Sequence, residues 1–295
     1  MENGRYKSEF GYELETYKWK PVGEAKFVLY ISHGYGGRGA ELSYTRELIP
    51  KMLDLGGIVY SHDHYAHGKS GPFERTHRDR CQLKSFDESA RDLFARIEAS
   101  KEEHPQLPVI VMGTSLGGLL SLIAIKNDNL KIDCLVLLAP AVEVSKTTAP
   151  SWLRVVGRIA SCCCPSLKTP KDRDNNLVTR NKILQKAIEE EDAVYGPNGG
   201  YSLDFGVRFL DAQEDVRRWI KAGLFPKNIS LAIFTGTDDQ VITPKGSYFL
   251  EKYIDGARLY TYEGAYHSLV NELPDTTEKF YKDFINVINL AIDKQ

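Results

Sequence analysis

The sequence predicts an α/β fold built on a mostly parallel sheet, and two observations support this prediction. Short apolar runs bounded by glycine alternate with helical patterns up to Pro140, as is typical of parallel strands buried on both faces. About eighty residues rich in charge, cysteine and isolated aromatic residues then intervene, and afterwards the alternation resumes. The two flanks are therefore expected to form one sheet, with the intervening residues as an insertion.

Four apolar runs predict the first parallel strands: "KFVLYISHG" from Lys26, "GIVYSHD" from Gly57, "LPVIVMG" from Leu107 and "KIDCLVLLAP" from Lys131. Upstream, "FGYELETYKWKP" alternates between apolar and polar residues, which indicates an antiparallel hairpin joined to the sheet edge. Beyond the insertion, "ISLAIFTG" from Ile229 and "ARLYTYEG" predict the last strands. The sheet is therefore expected to be parallel except at its N-terminal edge.

Helical patterns separate these strands. Residues 40–55 and 86–104 carry apolar side chains at helical spacing, and either Ser85 or Asp87 is expected to cap the second helix. After the insertion, "GSYFLEKY" and "TEKFYKDFINVINLAI" predict two further helices. A helix between successive strands is the usual connection in a parallel sheet.

The composition restricts the class of protein. Hydrophobic residues make up 42% of the 295 residues and charged residues 26%, as in folded globular proteins. A net charge of -2 supplies no basic field, so no nucleic acid is expected as a partner. The start, "MENGRYKSEF", lacks the apolar core of a signal peptide, and no apolar run reaches the roughly 18 residues that cross a bilayer. The expected compartment is the cytoplasm, where the five cysteines would be reduced thiols.

Ser115 stands between Gly113 and Gly117 in "VMGTSLGGLL", where an apolar strand pattern stops and a helical pattern begins. This strand-turn-helix setting is the one that a G-x-S-x-G nucleophile elbow requires. The two glycines would remove side chains that collide in so sharp a turn. Ser115 is therefore the candidate nucleophile, and the alternative is a turn serine that caps the following helix.

A serine hydroxyl becomes a strong nucleophile only when a neighbouring base takes its proton. In chains with this elbow the acid and then the histidine follow the serine, and His267 is the only histidine after Ser115. The acid is expected at the end of the preceding strand, where "IFTGTDDQVI" offers Asp238 and Asp239. Asp239 is the preferred candidate, although the sequence pattern leaves both aspartates open.

Acyl transfer also needs N–H donors directed at the oxyanion. The backbone N–H of Leu116 at the start of the helix is one candidate, and that of Tyr35 in the turn "ISHGYGG" is the second. His33 precedes the serine and is interpreted as a hydrogen-bonded scaffold residue. The histidines of "HDHYAH" suggest a metal site, but a supporting loop is the preferred interpretation because a serine triad needs no metal.

Six motifs together point to a known family. They are "SHGYGG" at 32–37, "HDHYAHGKSG" at 62–71, "GTSLGG" at 113–118, "VTRNK" at 178–182, "GTDD" at 236–239 and "YEGAYH" at 262–267. Over nearly its whole length the chain resembles the α/β-hydrolase superfamily. Within it, the resemblance is to the monoglyceride lipase and lysophospholipase group, hydrolases of the serine aminopeptidase S33 type.

The resemblance implies an α/β-hydrolase fold, with a mostly parallel eight-stranded sheet flanked by helices and an inserted helical cap. It divides the chain into a first part of the core at 1–142, a cap at 143–224 and a second part of the core at 225–295. The cap would cover an acyl channel and make transient contact with a membrane surface. Localisation would then be cytoplasmic and peripheral at membranes.

The resemblance also implies a catalytic triad of Ser115, Asp239 and His267, with the backbone N–H groups of Tyr35 and Leu116 as the oxyanion hole. It selects Asp239 because the acid of the family stands three positions after the glycine of "GTDD". Neither a cofactor nor a metal is expected.

Four residues depart from the pattern of the family. Thr114 replaces the histidine usual before the serine, and Tyr35 replaces a small residue in the oxyanion turn. Gly37 and Glu41 stand where monoglyceride lipases often have polar and basic groups that hold glycerol. The departures concern the substrate pocket and leave the triad complete.

The expected function is hydrolysis of lipid-type carboxylic esters by a serine hydrolase, with monoacylglycerol or lysophospholipid as the substrate. The alternatives are a small-ester carboxylesterase or peptidase of the same fold, and a ligand-binding α/β-hydrolase without turnover. In the cap, "SWLRVVGRIASCCCP" predicts an amphipathic helix that packs inward or, alternatively, lies on a membrane with Cys162, Cys163 and Cys164 as acylation sites.

Overall fold

Eight strands form one sheet in the described part of the chain, which comprises residues 1–72, 80–144, 157–158, 164, 166–168, 174–197 and 200–293 of a computed structural model. The strands are β1 (Glu2–Lys7), β2 (Glu13–Trp19), β3 (Phe27–Ser32), β4 (Gly57–His62), β5 (Val109–Thr114), β6 (Cys134–Leu138), β7 (Ser230–Gly236) and β8 (Arg258–Tyr262). Their order across the sheet is β1-β2-β4-β3-β5-β6-β7-β8.

The sheet is parallel from β4 to β8 and antiparallel only at the edge formed by β1 and β2. This arrangement confirms the predicted α/β class and the N-terminal hairpin, whose first strand begins earlier than the alternating stretch, at Glu2. All residues of β3, β4 and β6 are buried, because helices cover both faces of the sheet. The carboxyl ends of β3, β5, β6 and β7 therefore meet at one edge.

Seven α-helices connect and cover the strands in the described part of the chain. They are α1 (Ile49–Asp54), α2 (Phe86–Glu103), α3 (Leu116–Asp128), α4 (Lys182–Tyr195), α5 (Leu203–Lys221), α6 (Lys245–Tyr253) and α7 (Pro274–Ile292). Apolar side chains of α2, α3, α5 and α6 pack on one face of the sheet, and those of α1 and α7 pack on the other. Full burial of each large apolar side chain stabilises the fold by about 1.5–3 kcal/mol.

Two helix starts show how local sequence determines the elements. The Ser85 hydroxyl accepts a hydrogen bond from Glu88 N at 3.2 Å, so Ser85, and not Asp87, caps α2. The helical pattern at 40–55 forms two pieces, a π-helical turn over Tyr44–Leu48 and then α1. Pro50 stands in the first turn of α1, where the missing N–H of proline costs no helical hydrogen bond.

The insertion between β6 and β7 contributes α4 and α5. Phe205, Val216 and Ile220 of α5 belong to the same apolar core as α2 and α3, while α4 lies nearer the carboxyl edge of the sheet. The domain division at 143 and 224 remains a prediction. Most of "SWLRVVGRIASCCCP", including Cys162 and Cys163, lies outside the described residues. In the described part, none of the helices combines the length and apolar character needed to span a bilayer.

A buried carboxyl group ties the N-terminal hairpin to α2. The Ser8 hydroxyl donates to Asp92 Oδ1 at 2.5 Å, and the Tyr12 hydroxyl donates to Asp92 Oδ2 at 2.6 Å. Burial raises the pKa of Asp92 to about 6. At pH values between the pKa of Asp92 in the unfolded state and its pKa in the folded state, the folded state binds a proton that the unfolded state has released. The free energy of unfolding therefore falls as the pH rises through this interval.

We predict that Asp92→Asn flattens the pH dependence of stability between pH 4 and pH 7. The wild-type protein should lose up to roughly 3 kcal/mol of the Asp92 contribution across this range, whereas the variant has no group to titrate there. Urea unfolding of both proteins at several pH values measures the difference. The exposed Asp54→Asn exchange controls for the lost charge, and parallel profiles for the wild type and Asp92→Asn would contradict the assignment.

Candidate active site

Ser115 occupies the sharp turn between β5 and α3. Its backbone has φ 51° and ψ −112°, a conformation that non-glycine residues rarely adopt and that surrounding contacts must stabilise. Ser115 N donates to Leu138 O at 2.9 Å, and Ser115 O accepts from Ala141 N at 2.9 Å. The hydroxyl makes no capping hydrogen bond to α3, so the interpretation of Ser115 as a helix cap is wrong.

The glycines of the motif permit the close approach of α3 to the sheet. A Cβ atom on Gly117 would lie 2.1 Å from Ser32 O, and one on Gly113 would lie 2.7 Å from the Cα of Gly118. Both distances are far below van der Waals contact. The predicted steric role of the two glycines is therefore confirmed.

His267 lies in the loop between β8 and α7, and its Nδ1 is 2.7 Å from Asp239 Oδ2. The other oxygen of Asp239, Oδ1, accepts from Val241 N and Ile242 N, each at 2.9 Å. A carboxylate held in this way requires the proton of the neutral imidazole on Nδ1, which leaves Nε2 as an acceptor. The structure thus pairs Asp239 with the imidazole, whereas the side chain of Asp238 is exposed.

The turn after β3 lies directly against the serine. A Cβ atom on Gly34 would be 3.4 Å from Ser115 Cβ, so no side chain separates the two segments. Leu116 is the first residue of α3, and the N–H of a first helical residue has no partner within its helix. Tyr35 follows Gly34 in the turn, and its ring lies 4.9 Å from that of Tyr201 and 5.4 Å from that of Phe205.

His33 is built into the scaffold beneath this turn. His33 Nε2 accepts from His64 N at 3.0 Å, so Nδ1 carries the proton and donates to Gly34 O at 2.8 Å. Burial lowers the pKa values of His33, His62 and His64 well below the usual value for histidine. The neutral rings continue as a chain, with His62 Nε2 3.1 Å from His64 Nδ1 and His62 Nδ1 2.8 Å from the Tyr30 hydroxyl. These ring nitrogens are therefore engaged in hydrogen bonds.

Ser115 and His267 line one cavity of about 300 Å³, within the usual size range of small-molecule sites. Most of its walls are apolar, and α4 and α5 contribute a large share of them. The apolar lining side chains are Tyr35, Tyr44, Leu116, Ala141, Val144, Val178, Ile188, Tyr195, Tyr201, Leu203, Phe205, Val207, Phe209, Leu210, Val241 and Ile242. The charged lining residues are Arg38, Glu41, Glu191 and Asp192.

An ion pair connects the turn after β3 to α4. Arg38 Nη2 lies 2.6 Å from Glu191 Oε1, and the guanidinium lies 4.6 Å from the centre of the Tyr195 ring. Glu191 Oε2 also accepts from Leu42 N at 3.0 Å. Neither Arg38 nor Glu191 belongs to a motif with a known mechanism, so sequence reasoning missed this pair. The partners are 153 positions apart, and no local pattern signals their contact.

Comparison with known proteins places the chain in a family. A family model described as serine aminopeptidase, S33, matches residues 23–274, which is most of the chain. The chain belongs to the S33 family. The resemblance inferred from the motifs is thus confirmed, and this S33 protein is a member of a hydrolase family.

Similar proteins are ester hydrolases. The S33 protein is 26% identical to human monoglyceride lipase, over 90% of this chain and 83% of that protein. It is 24% identical to a monoacylglycerol lipase of Mycolicibacterium smegmatis, over 86% of this chain and 85% of that protein. A solved structure of a soluble variant of monoglyceride lipase from Saccharomyces cerevisiae superposes with a TM-score of 0.82, covering 98% of this chain and 94% of that chain at 18% identity. At this identity, the superposition establishes the α/β-hydrolase fold alone.

We predict that Gly117→Ala destabilises the protein by about 1–3 kcal/mol or more, the typical cost of forcing an atom into a packed interior. The reason is the 2.1 Å approach of the new Cβ to Ser32 O. Urea unfolding measures the change. Gly206→Ala in α5 is the matched control, because a Cβ there meets nothing within 4 Å and alanine stabilises a helix interior by about 0.5–1 kcal/mol. Equal stabilities of the two variants would disprove the close approach.

Proposed function

We propose that the protein is a serine hydrolase of lipid-type carboxylic esters, with monoacylglycerol as the first candidate substrate and lysophospholipid as the second. One observation carries the proposal: Ser115, in a strained elbow, shares a mainly apolar cavity with His267, and the imidazole of His267 is paired with Asp239. An apolar cavity suits an acyl chain, and the names of the similar proteins support the choice of ester.

In the proposed reaction, Ser115 Oγ attacks the ester carbonyl while His267 Nε2 takes the serine proton. The backbone N–H groups of Tyr35 and Leu116 bind the negative oxygen of the tetrahedral intermediate, and each such donor typically contributes about 2.7–4 kcal/mol. His267 then gives the proton to the departing alcohol, which leaves an acyl-enzyme on Ser115. Water, deprotonated by His267, releases the acid, and Asp239 keeps the imidazole in the required tautomer.

We also propose that residues 143–224 act as a cap over the acyl channel. Ile188 and Tyr195 of α4, together with Phe205 and Phe209 of α5, supply apolar walls to the cavity that contains Ser115. Lipid substrates would therefore depend on this segment for binding. Transient contact of the cap with a membrane surface is part of the same proposal.

The triad is tested with a fluorophosphonate probe and an ester assay. We expect the probe to label the wild-type protein but not Ser115→Ala. Asp239→Asn should lower kcat by about 10⁴-fold because it stabilises the wrong tautomer of His267. Asp238→Asn is the matched control and should stay close to wild type, since that carboxylate is exposed.

Two outcomes would contradict this assignment. Equal labelling of the wild type and Ser115→Ala would exclude Ser115 as the nucleophile, and a larger loss in Asp238→Asn than in Asp239→Asn would exclude Asp239 as the acid. A wild-type protein that is folded but neither labelled nor active would favour the ligand-binding alternative.

Substrate class is tested by acyl-chain length. Each methylene buried in an apolar channel contributes about 0.8 kcal/mol, roughly fourfold in kcat/KM, until the channel is filled. We expect this rise along a series of monoacylglycerols from four to twelve carbons. Lysophospholipids and simple ethyl esters of matched chain length show which alcohol is preferred. A flat or falling profile would favour a small-ester carboxylesterase, and cleavage of peptides in place of esters would favour a peptidase.

A further inference from the structure

Residues 178–181, part of the "VTRNK" motif, lie against the loop that carries His267. Val178 O accepts from Ser268 N at 2.8 Å, and the Thr179 hydroxyl donates to Asn271 O at 2.6 Å. Val178 and Thr179 are both buried. A segment of the insertion between β6 and β7 is thus bonded to the connection between β8 and α7.

The carboxylate of Glu272 forms the centre of this contact. Its side chain is completely buried, and Arg180 Nε donates to Glu272 Oε2 at 2.7 Å. Glu272 Oε1 accepts from Tyr266 N at 3.0 Å. The guanidinium is held from another side by Nη2, which donates to the Thr276 hydroxyl at 3.0 Å. Arg180 therefore neutralises and orients the carboxylate that binds the backbone next to His267.

The two neighbours of His267 in the chain are consequently anchored by the same segment. Tyr266 N is bound by Glu272, which Arg180 holds, and Ser268 N is bound directly by Val178 O. Between these anchors, His267 Nδ1 lies 2.7 Å from Asp239 Oδ2. The backbone on each side of the imidazole has little freedom to shift.

We propose that Arg180 is a positioning residue for His267, acting through Glu272 on the backbone of the histidine loop. The inference rests on the proposed function, because it gives Arg180 a role in a reaction that uses His267 as the base. A shift of about 1 Å in a catalytic group can cost about 10²-fold in rate. Without the guanidinium, Glu272 would be a buried carboxylate without its counter-charge, and its bond to Tyr266 N would be the first to rearrange.

The inserted segment therefore does more than cover the pocket. A deletion of the whole cap would remove the lid and the support of His267 together, and activity would fall for short and long esters alike. Point variants separate the two roles, because Arg180 is absent from the residues that line the cavity.

The experiment compares Arg180→Ala and Arg180→Lys with Arg217→Ala in the full chain, on a short soluble ester. Arg217 forms an ion pair with Glu143 within the insertion, and its side chain is 23% exposed against 27% for Arg180. We expect kcat of Arg180→Ala to fall about 10- to 100-fold, with KM within about threefold of wild type because no binding contact is lost. Arg217→Ala should keep kcat within about twofold of wild type, because its partner is Glu143 and not the carboxylate that binds Tyr266 N.

Chemical rescue of kcat by added guanidinium tests the positioning role, because it would not correct a purely structural defect. Guanidinium at concentrations below those that unfold the protein should restore part of kcat in Arg180→Ala and leave Arg217→Ala unchanged. Lysine keeps the charge but lacks the planar fork that reaches Glu272 and Thr276 together, so Arg180→Lys should show an intermediate kcat. If circular dichroism shows that Arg180→Ala does not fold, the kcat of Arg180→Lys tests the proposal in its place.

A wild-type kcat in either folded Arg180 variant would overturn the proposal. An effect confined to KM, or an equal loss of kcat in Arg217→Ala, would overturn it as well. These results differ from failure of the proposed function, in which the wild-type protein neither reacts with the fluorophosphonate probe nor cleaves any ester. In that case the role of Arg180 in positioning His267 is rejected together with the proposed ester hydrolysis.

Discussion

The close approach of α3 to the carboxyl end of β3 is the constraint on which the site depends. Gly117 leaves no space between the first turn of α3 and Ser32 O, and this contact forces the chain through the strained backbone conformation of Ser115. The strain is tolerated because neighbouring strands hold the turn, through Leu138 O and Ala141 N. Ser115 therefore lies just before the helix and lines the cavity at the edge where the parallel strands end.

Neutral imidazoles and one imidazole paired with a carboxylate surround this elbow. The buried imidazoles of His33, His62 and His64 stay neutral because burial lowers their pKa values, and they support the turn after β3 through hydrogen bonds. The imidazole of His267 is hydrogen-bonded to a buried carboxylate, with Nδ1 2.7 Å from Asp239 Oδ2.

The insertion between β6 and β7 is joined to the core by polar contacts at the rim of the cavity as well as by apolar packing. Arg38 and Glu191 link the turn after β3 to α4, and Arg180 and Glu272 link residues before α4 to the histidine loop. Removing one partner of a buried ion pair costs about 3–5 kcal/mol, whereas exposed pairs contribute about 0–1 kcal/mol. The Glu272 side chain is completely buried, whereas Arg38 and Glu191 are each 19% exposed, so loss of Arg180 would leave the more deeply buried unpaired charge.

The sequence by itself determined the succession of strands and helices along the chain, the position of the elbow and the candidate histidine. Buried parallel strands are continuous apolar runs, the elbow needs glycines at set positions around Ser115, and His267 is the single histidine downstream. Residue patterns favoured Asp239 but left Asp238 open, and the family resemblance chose between them. Only the tertiary structure paired Asp239 with His267 and brought Arg180 to Glu272, 92 positions away. Local periodicity reports which face of an element is buried, but contacts between distant loops depend on the path of the whole backbone.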